Sequence, residues 1–459
     1  MPNPELSTAR RLMNNLSASV FARGSSALHR IAIIPLLLWF LGPEQYGQWL
    51  VISAIPAWLS LSNFSLGSVA GNAISLAVAK GDCASARSLY SSTLAMIAAL
   101  STVGMAMVLG VAWGISATHG QTIGSLADDS TMAILLLSAS IFVSFFAEPF
   151  TTRLRAVGKA HLGIALSASV PWLETAFSLI ALFFFSSLTS LAAATLLSRL
   201  AYCLIAWASS RTAHPELFFR LSDVRAADVP MLLQKGLAYQ AFPLGNALVN
   251  QGMLLVVDAA LGPLAVAVFG TARTLSRLAT QLMEVINHSI WPEMSLLLGA
   301  GKLQQAQTVH RAAVASTLAT GIASVVFAAT IGPWVFDLWT LHTLSVSHTL
   351  LVLFSLSILG QSMWHASYFI HLAANKHEGV AVRYVGGAAV SLLLCYPLTK
   401  TWGLYGASVS TLAMDLVMIP YAVTAALEMT GDTLPEFVAG LIPAAKSGVQ
   451  RVRHHFRPS

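Results

Sequence analysis

The sequence predicts an all-α polytopic membrane protein of about twelve transmembrane helices, set in two six-helix lobes around a central cavity. Three observations carry this. Hydrophobic residues make up 56 % of the 459 positions and charged residues only 10 %, too much apolar surface for a soluble domain to keep from water. A bilayer crossing needs about 20 mainly apolar residues, and the apolar stretches centre near residues 30, 57, 101, 141, 174, 198, 247, 280, 320, 360, 390 and 415. Finally, basic residues alternate between the connections. With the N-terminus on the cytoplasmic side, 19 of the 25 Lys and Arg residues fall in cytoplasmic segments, one (Lys400) falls opposite, and five (Arg23, Arg30, Arg199, Arg273, Arg277) lie within spans. A wrong span count would scramble that positive-inside pattern. The net charge of +6 is therefore explained by membrane anchoring and calls for no nucleic-acid partner.

The chain reads as duplicated. Leu41-Gly42-Pro43 recurs as Leu261-Gly262-Pro263, Gly81 as Gly301 and Ala86 as Ala306, each 220 residues apart. An even number of spans per half makes this a parallel repeat. The expected division is 1–215 for the first lobe, 216–430 for the second and 431–459 for a basic cytoplasmic tail, with the polar connection Arg211 to Lys235 as the hinge.

The first span, Ser19 to Leu41, is apolar except for one face. Ser19, Arg23, Ser26 and Arg30 are spaced 4, 3 and 4, which aligns them on an α-helix. An arginine near the bilayer centre costs about 2.5–3.5 kcal/mol on insertion scales, so it either pairs with a carboxylate or lines a wet cavity for an anion. The run is too long, and too interrupted by arginine, for a cleavable signal peptide. The second span carries Trp49, Ser53, Pro56, Ser60 and Asn63, and the seventh carries Tyr239, Pro243, Asn246 and Asn250. The eighth carries Arg273, Arg277, Gln281, Glu284 and His288 at spacings of 4, 4, 3 and 4, and the tenth Gln361, His365 and Tyr368 beside Trp364 and His371. Such stripes serve either as glue between membrane helices or as cavity walls. Arginine suits the second role, because its planar fork binds phosphate oxygens two at a time. Amide and aromatic groups (Trp49, Asn63, Tyr239, Asn246, Asn250, Gln361, His365, Tyr368) suit a glycan.

Five acids lie within spans: Glu148, Glu174, Asp258, Glu284 and Asp415. Each is a carrier for a coupling ion, H+ or Na+, or a counter-ion for an arginine; Glu284, Glu174 and Glu148 are the coupling candidates. Cys83, Cys203 and Cys395 have no metal-ligand spacing. No phosphate-binding glycine loop is present, no cofactor is called for, and the outer loops are short for a membrane enzyme.

Arg30 with Ile34-Pro35-Leu36-Leu37-Leu38, then Leu41 through Trp49 (LGPEQYGQW), resembles the start of Wzx-type polysaccharide flippases of the multidrug/oligosaccharidyl-lipid/polysaccharide exporter superfamily. Asn63-Phe64-Ser65-Leu66-Gly67, Gly71-Asn72-Ala73-Ile74-Ser75, Lys80-Gly81-Asp82 and Trp291-Pro292-Glu293-Met294-Ser295 fit the same family. The resemblance implies a non-enzymatic flippase in the bacterial inner membrane, both termini cytoplasmic, working by alternating access. Its cargo would be a polyprenyl-diphosphate-linked oligosaccharide for O-antigen, capsule or exopolysaccharide. A glycan polymerase and a chain-length regulator would be its partners. Arg23, Arg30 and Arg273 match the cavity arginines of related lipid II flippases, and Arg277 extends that set to the diphosphate. The alternatives are a cation-coupled multidrug exporter of the same superfamily, a membrane glycan polymerase or acyltransferase, and a scaffold that binds lipid-linked intermediates.

Overall fold

The computed structural model describes residues 4–118, 129–212, 217–238 and 240–455, all of them helix or short connection. Among the described residues, ten stretches are long and apolar enough to cross a membrane. One of them, Ser17–Ala79, has 63 residues, or about 94 Å of helix at 1.5 Å per residue. That is far more than one crossing. Gly42 breaks it with φ 74° and ψ 170°, a conformation that only glycine adopts without strain. The expected eighth span is also irregular, being divided at Arg277 into Pro263–Ser276 and Leu278–Gly299. The protein is a multi-pass, all-α membrane protein.

The chain forms two compact units, Met1–Pro243 and Leu244–Ser459. The polar connection from Arg211 to Lys235 packs with the first unit. Leu217 and Leu232 are buried in its core beside Leu66, Tyr90, Ile97 and Phe142. Polar contacts hold the same segment: Arg87 Nε donates to Asp223 at 2.7 Å, and Ser88 and Ser92 both donate to Asp228. Where the hinge was placed, the chain is pinned down. In the second unit the core gathers Trp364, Val380, Ala388, Met414, Met418 and Ala422. The segment 431–459, read as a tail, forms the helix Leu434–His455.

The duplication is written into the backbone. Gly262 repeats the break of Gly42, with φ 85° and ψ 177°, and proline follows both. Gly81 and Gly301 both have positive φ, and each ends a helix in the same way: Asp82 N–H reaches Ala77 O at 3.0 Å and Lys302 N–H reaches Leu297 O at 2.9 Å. These are Schellman closures, in which a left-handed residue lets orphan carbonyls find donors. Gly158 pairs with Asn375, and Ser186 with Gly403, again as positive-φ positions. Ala86 and Ala306 are both fully buried.

Small residues let the membrane helices approach closely, since lipid supplies no hydrophobic push between them. A Cβ added to Gly67 would lie 2.4 Å from Glu148 Oε2, and one on Gly406 would lie 1.9 Å from the Leu398 carbonyl oxygen. The second clash is with backbone, so it cannot be relieved by a rotamer. Gly406→Ala should therefore destabilise the purified protein by about 1–3 kcal/mol, as overpacking does. Gly110→Ala, with nothing within 4 Å, should be neutral or slightly stabilising. Thermal unfolding followed by size-exclusion chromatography checks both, and equal melting temperatures would refute the packing argument.

Candidate functional site

The seventh span is not a uniform helix. Ala241–Ala247 and Met253–Leu261 are joined by a π-helical turn, Leu248–Gly252. A π-bulge displaces carbonyls from their i→i+4 partners, and a carbonyl without a donor costs several kcal/mol in a membrane interior. Arg273 supplies the donors. Its Nη1 donates to Val249 O at 3.1 Å and its Nη2 to Asn250 O at 3.0 Å. Its guanidinium also lies 5.2 Å from the Phe269 ring centroid. One turn further on, Arg277 Nη1 donates to Asn250 Oδ1. Asn250 Nδ2 in turn donates to Asn246 Oδ1, which also accepts from Tyr384 Oη at 3.2 Å.

These groups border a cavity of about 100 Å³ inside the second unit, lined also by Ser357, Gln361, Trp364 and Asp415. Asp415 is 5 % exposed. Its Oδ1 accepts from Trp364 Nε1 at 2.8 Å and its Oδ2 from Ser357 Oγ at 3.2 Å. Gly360 leaves room for it, since a Cβ there would lie 2.8 Å from Oδ2. Two arginines, one carboxylate and three side-chain amides thus share one partly open space. It is a polar cavity able to take water or a small ion.

The structure distributes the expected site residues unequally. Arg273, Arg277, Asn246, Asn250 and Gln361 meet at this cavity. Glu284, expected on the same stripe as the arginines, does not line it. The cause is the break at Arg277, whose ψ of −4° changes the helix phase. Asn287 turns inward instead, and its Nδ2 meets His365 Nδ1 at 2.9 Å. His365 also stacks on Tyr368; neither lines the cavity, but both rings pack against Trp364, which does. Tyr239 lies outside the described residues.

In the first unit the expected stripes are broken or engaged. The second span stops being α-helical at Ala57, continues as a 3-10 turn over Trp58–Asn63, and passes through left-handed Phe64 and Ser65. Trp49 and Asn63 are half-buried and fall on different segments. Glu174 forms an ion pair with Arg199 at 2.9 Å, and Glu148 accepts from Ser68 Oγ at 2.5 Å. The first span packs through Ser25 and His29, one residue off the predicted stripe. Ser25 Oγ donates to Ala168 O, and His29 Nδ1 lies 2.7 Å from Thr175 Oγ1. Arg30 is exposed, and the Arg23 side chain lies outside those described. Asp415, Trp364 and Ser357 form the part of the cavity that no local spacing gave; the sequence signal was a lone acid in an otherwise apolar span.

Among the described residues no group of three or more His, Cys, Asp or Glu could hold a metal ion. No protein-family model matches the chain, and no curated protein matches it significantly. Solved structures do. A multidrug resistance MATE family transporter of the MOP superfamily, in its inward-facing conformation, is similar at a TM-score of 0.69 and 16 % identity, over 88 % of this chain and 99 % of that one. A MATE structure in the straight conformation gives 0.61 at 15 % identity, over 91 % and 96 %. A MOP superfamily transporter from Pyrococcus furiosus, described as having a binding pocket of reverse polarity that suggests a different function, gives 0.60 at 15 % identity, over 95 % of each chain. The fold is that of MOP-superfamily transporters.

These likenesses correct the resemblance drawn from the sequence. The similar structures are MATE-type and related MOP transporters, not Wzx-type flippases. The polyprenyl-diphosphate oligosaccharide, its polymerase and its chain-length partner are withdrawn with that assignment. The physical reason lies in the motifs. Leu-Gly-Pro and Lys-Gly-Asp are helix breaks and helix ends of the fold, and they say nothing of cargo.

Arg273→Lys keeps the charge but loses the two-pronged donor, so one carbonyl of the π-turn loses its guanidinium bond. It should destabilise by about 0.5–1.5 kcal/mol, the net worth of a typical hydrogen bond. The measurement is again a melting temperature. A lysine variant as stable as wild type would mean that the fork is not what holds the turn.

Proposed function

We propose that the chain is a cation-coupled exporter of small molecules, of the MATE type, with the Asp415 cavity as its coupling site. The observation that carries this is a buried carboxylate in a polar cavity, within a fold whose likenesses include multidrug transporters. A carboxylate in the membrane interior needs a positive partner, and H+ and Na+ both answer. Trp364 and Ser357 hold the two oxygens in place. The arginines lining the same cavity oppose cation binding, which favours the release that a transport cycle requires. The alternation of basic residues supports an orientation with both termini cytoplasmic.

Proteoliposomes carrying the full chain, given a proton or a sodium gradient and probed with ethidium, test the proposal. Asp415→Asn should cut gradient-driven dye movement about tenfold or more, equivalent to roughly 1.4 kcal/mol of lost coupling, with an unchanged melting temperature. Equal transport by the variant would remove Asp415 from the role. No dye movement by the wild-type protein under either gradient would remove the multidrug reading.

The orientation has its own test. A reporter active only outside the cell should be active when fused after His342 and silent after Arg220 or Lys376. The reverse pattern would overturn the topology.

A further inference from the structure

The helix Leu434–His455 leaves part of its apolar surface without a protein neighbour. It follows the helix Leu404–Thr430 across a short turn at Gly431, which has φ 63°. That turn is fixed. Arg311 clamps Asp432 with Nε at 2.9 Å and Nη2 at 2.6 Å, and Gln307 Nε2 donates to the carbonyls of Thr430 and Gly431. Gly440 lets the helix lie against Arg311, whose Cδ would be 2.7 Å from an added Cβ. Phe437 packs with Ala313, Val314, Ala366 and Leu427, with Leu441 beside it, and the Phe437 ring lies 4.9 Å from that of His310. One side of the helix is therefore seated on the second unit.

The neighbouring side is not. Leu434, Val438 and Ile442 recur every four residues and are 53 %, 56 % and 67 % exposed. They form a continuous apolar strip next to the end of a membrane span. Further along, the sequence of the same helix brings Lys446, Arg451 and Arg453, with Arg457 beyond it, and no acid after Glu436. An apolar strip followed by a run of cations is the composition of a helix that lies in a bilayer interface, with its cations on acidic headgroups.

We propose that this helix docks in the plane of the membrane on anionic lipid: Leu434, Val438 and Ile442 enter the acyl boundary, and the basic charge of the sequence that follows (Lys446, Arg451, Arg453) draws the helix to acidic headgroups. The occupant is a lipid surface rather than a protein, because the strip adjoins a span that already lies in lipid. The rigid clamp at Asp432 fixes the depth at which the helix meets the surface. Docking is electrostatic in its second half and apolar in its first, so lipid charge sets how firmly the end of the chain is held.

The test uses the full chain with Cys83→Ser, which removes the half-buried thiol and leaves Cys203 and Cys395 buried. Ile442→Cys is labelled with an environment-sensitive dye and placed in nanodiscs of phosphatidylcholine alone or with one-third phosphatidylglycerol. In the anionic discs the dye should be quenched by nitroxides in the acyl chains and shielded from iodide. Each basic residue near such a surface contributes a factor of about five. Neutralising Lys446, Arg451 and Arg453 to Gln should therefore lower the docked-to-undocked ratio by roughly 100-fold, and phosphatidylcholine discs should lower it comparably. Three results would overturn the proposal. One is iodide access in anionic discs. Another is acyl-chain quenching that ignores both lipid charge and the Gln substitutions. The third is shielding from both quenchers with a cross-linked dimer, which would make the strip a contact between copies. A melting temperature equal to that of the parent confirms that the Gln variant is folded.

Discussion

The guanidinium of Arg273 on the carbonyls of Val249 and Asn250 is the interaction on which the second unit's cavity depends. A membrane interior penalises unsatisfied backbone, so a π-turn there needs donors from the protein or from water. Placing an arginine within a span is itself expensive, and it persists only where its protons are used. Each cost removes the other. Once the turn is held, Asn250 is displaced toward Arg277 and lies one turn from Asn246, and Tyr384 closes on Asn246 because Gly245 has no side chain to keep the ring away. The cavity is thus a consequence of a local defect in helix geometry and of the one side chain able to repair it.

The duplicated fold places unlike chemistry at like positions. Glu148 and His365 are 217 residues apart, as are Gly158 and Asn375; Gly67 and Asn287 are 220 apart, as are Gly81 and Gly301. In the first unit Gly67 makes room for Glu148, and in the second Asn287 bonds His365. The backbone needs the glycine breaks in both halves, because a helix end in lipid must satisfy its carbonyls wherever it occurs. The polar couple between helices is free to change, since either a close approach or a hydrogen bond joins the same two segments. The repeat therefore preserves geometry and lets each unit carry its own charge.

Much of this was legible in the sequence where it depends on local spacing. Arginines four apart, asparagines four apart and Gln361 three before Trp364 come together because each pair lies on one helix face. What spacing did not give has physical causes. Glu284 was placed with Arg273 because nothing at Arg277, neither glycine nor proline, signals that the helix is broken there. Ser25 and His29 were missed beside Ser26 and Arg30, since a one-residue shift of face is invisible until a partner helix is known. Asp415 meets Trp364 and Ser357 from another helix, and no spacing along one segment encodes that. The cargo was misread for a further reason: the motifs that seemed familial are backbone devices, shared by a fold that serves several substrates.

The balance of charge in the cavity bears on which cations it would hold. Arg273 is committed to the π-turn by two hydrogen bonds, so its position is set by the backbone and not by whatever enters the space. Arg277 bonds a side-chain amide, Asn250 Oδ1, which has rotamer freedom that a carbonyl lacks. Asp415 accepts two neutral donors, an indole N–H and a hydroxyl, which orient the carboxylate without neutralising it. Neutral donors leave the charge to be met by something mobile, while the fixed positive charges nearby prevent that partner from binding too tightly. A site of this kind separates orientation from neutralisation. In the coupling role proposed for Asp415, permanent groups would supply the first and an exchangeable cation the second.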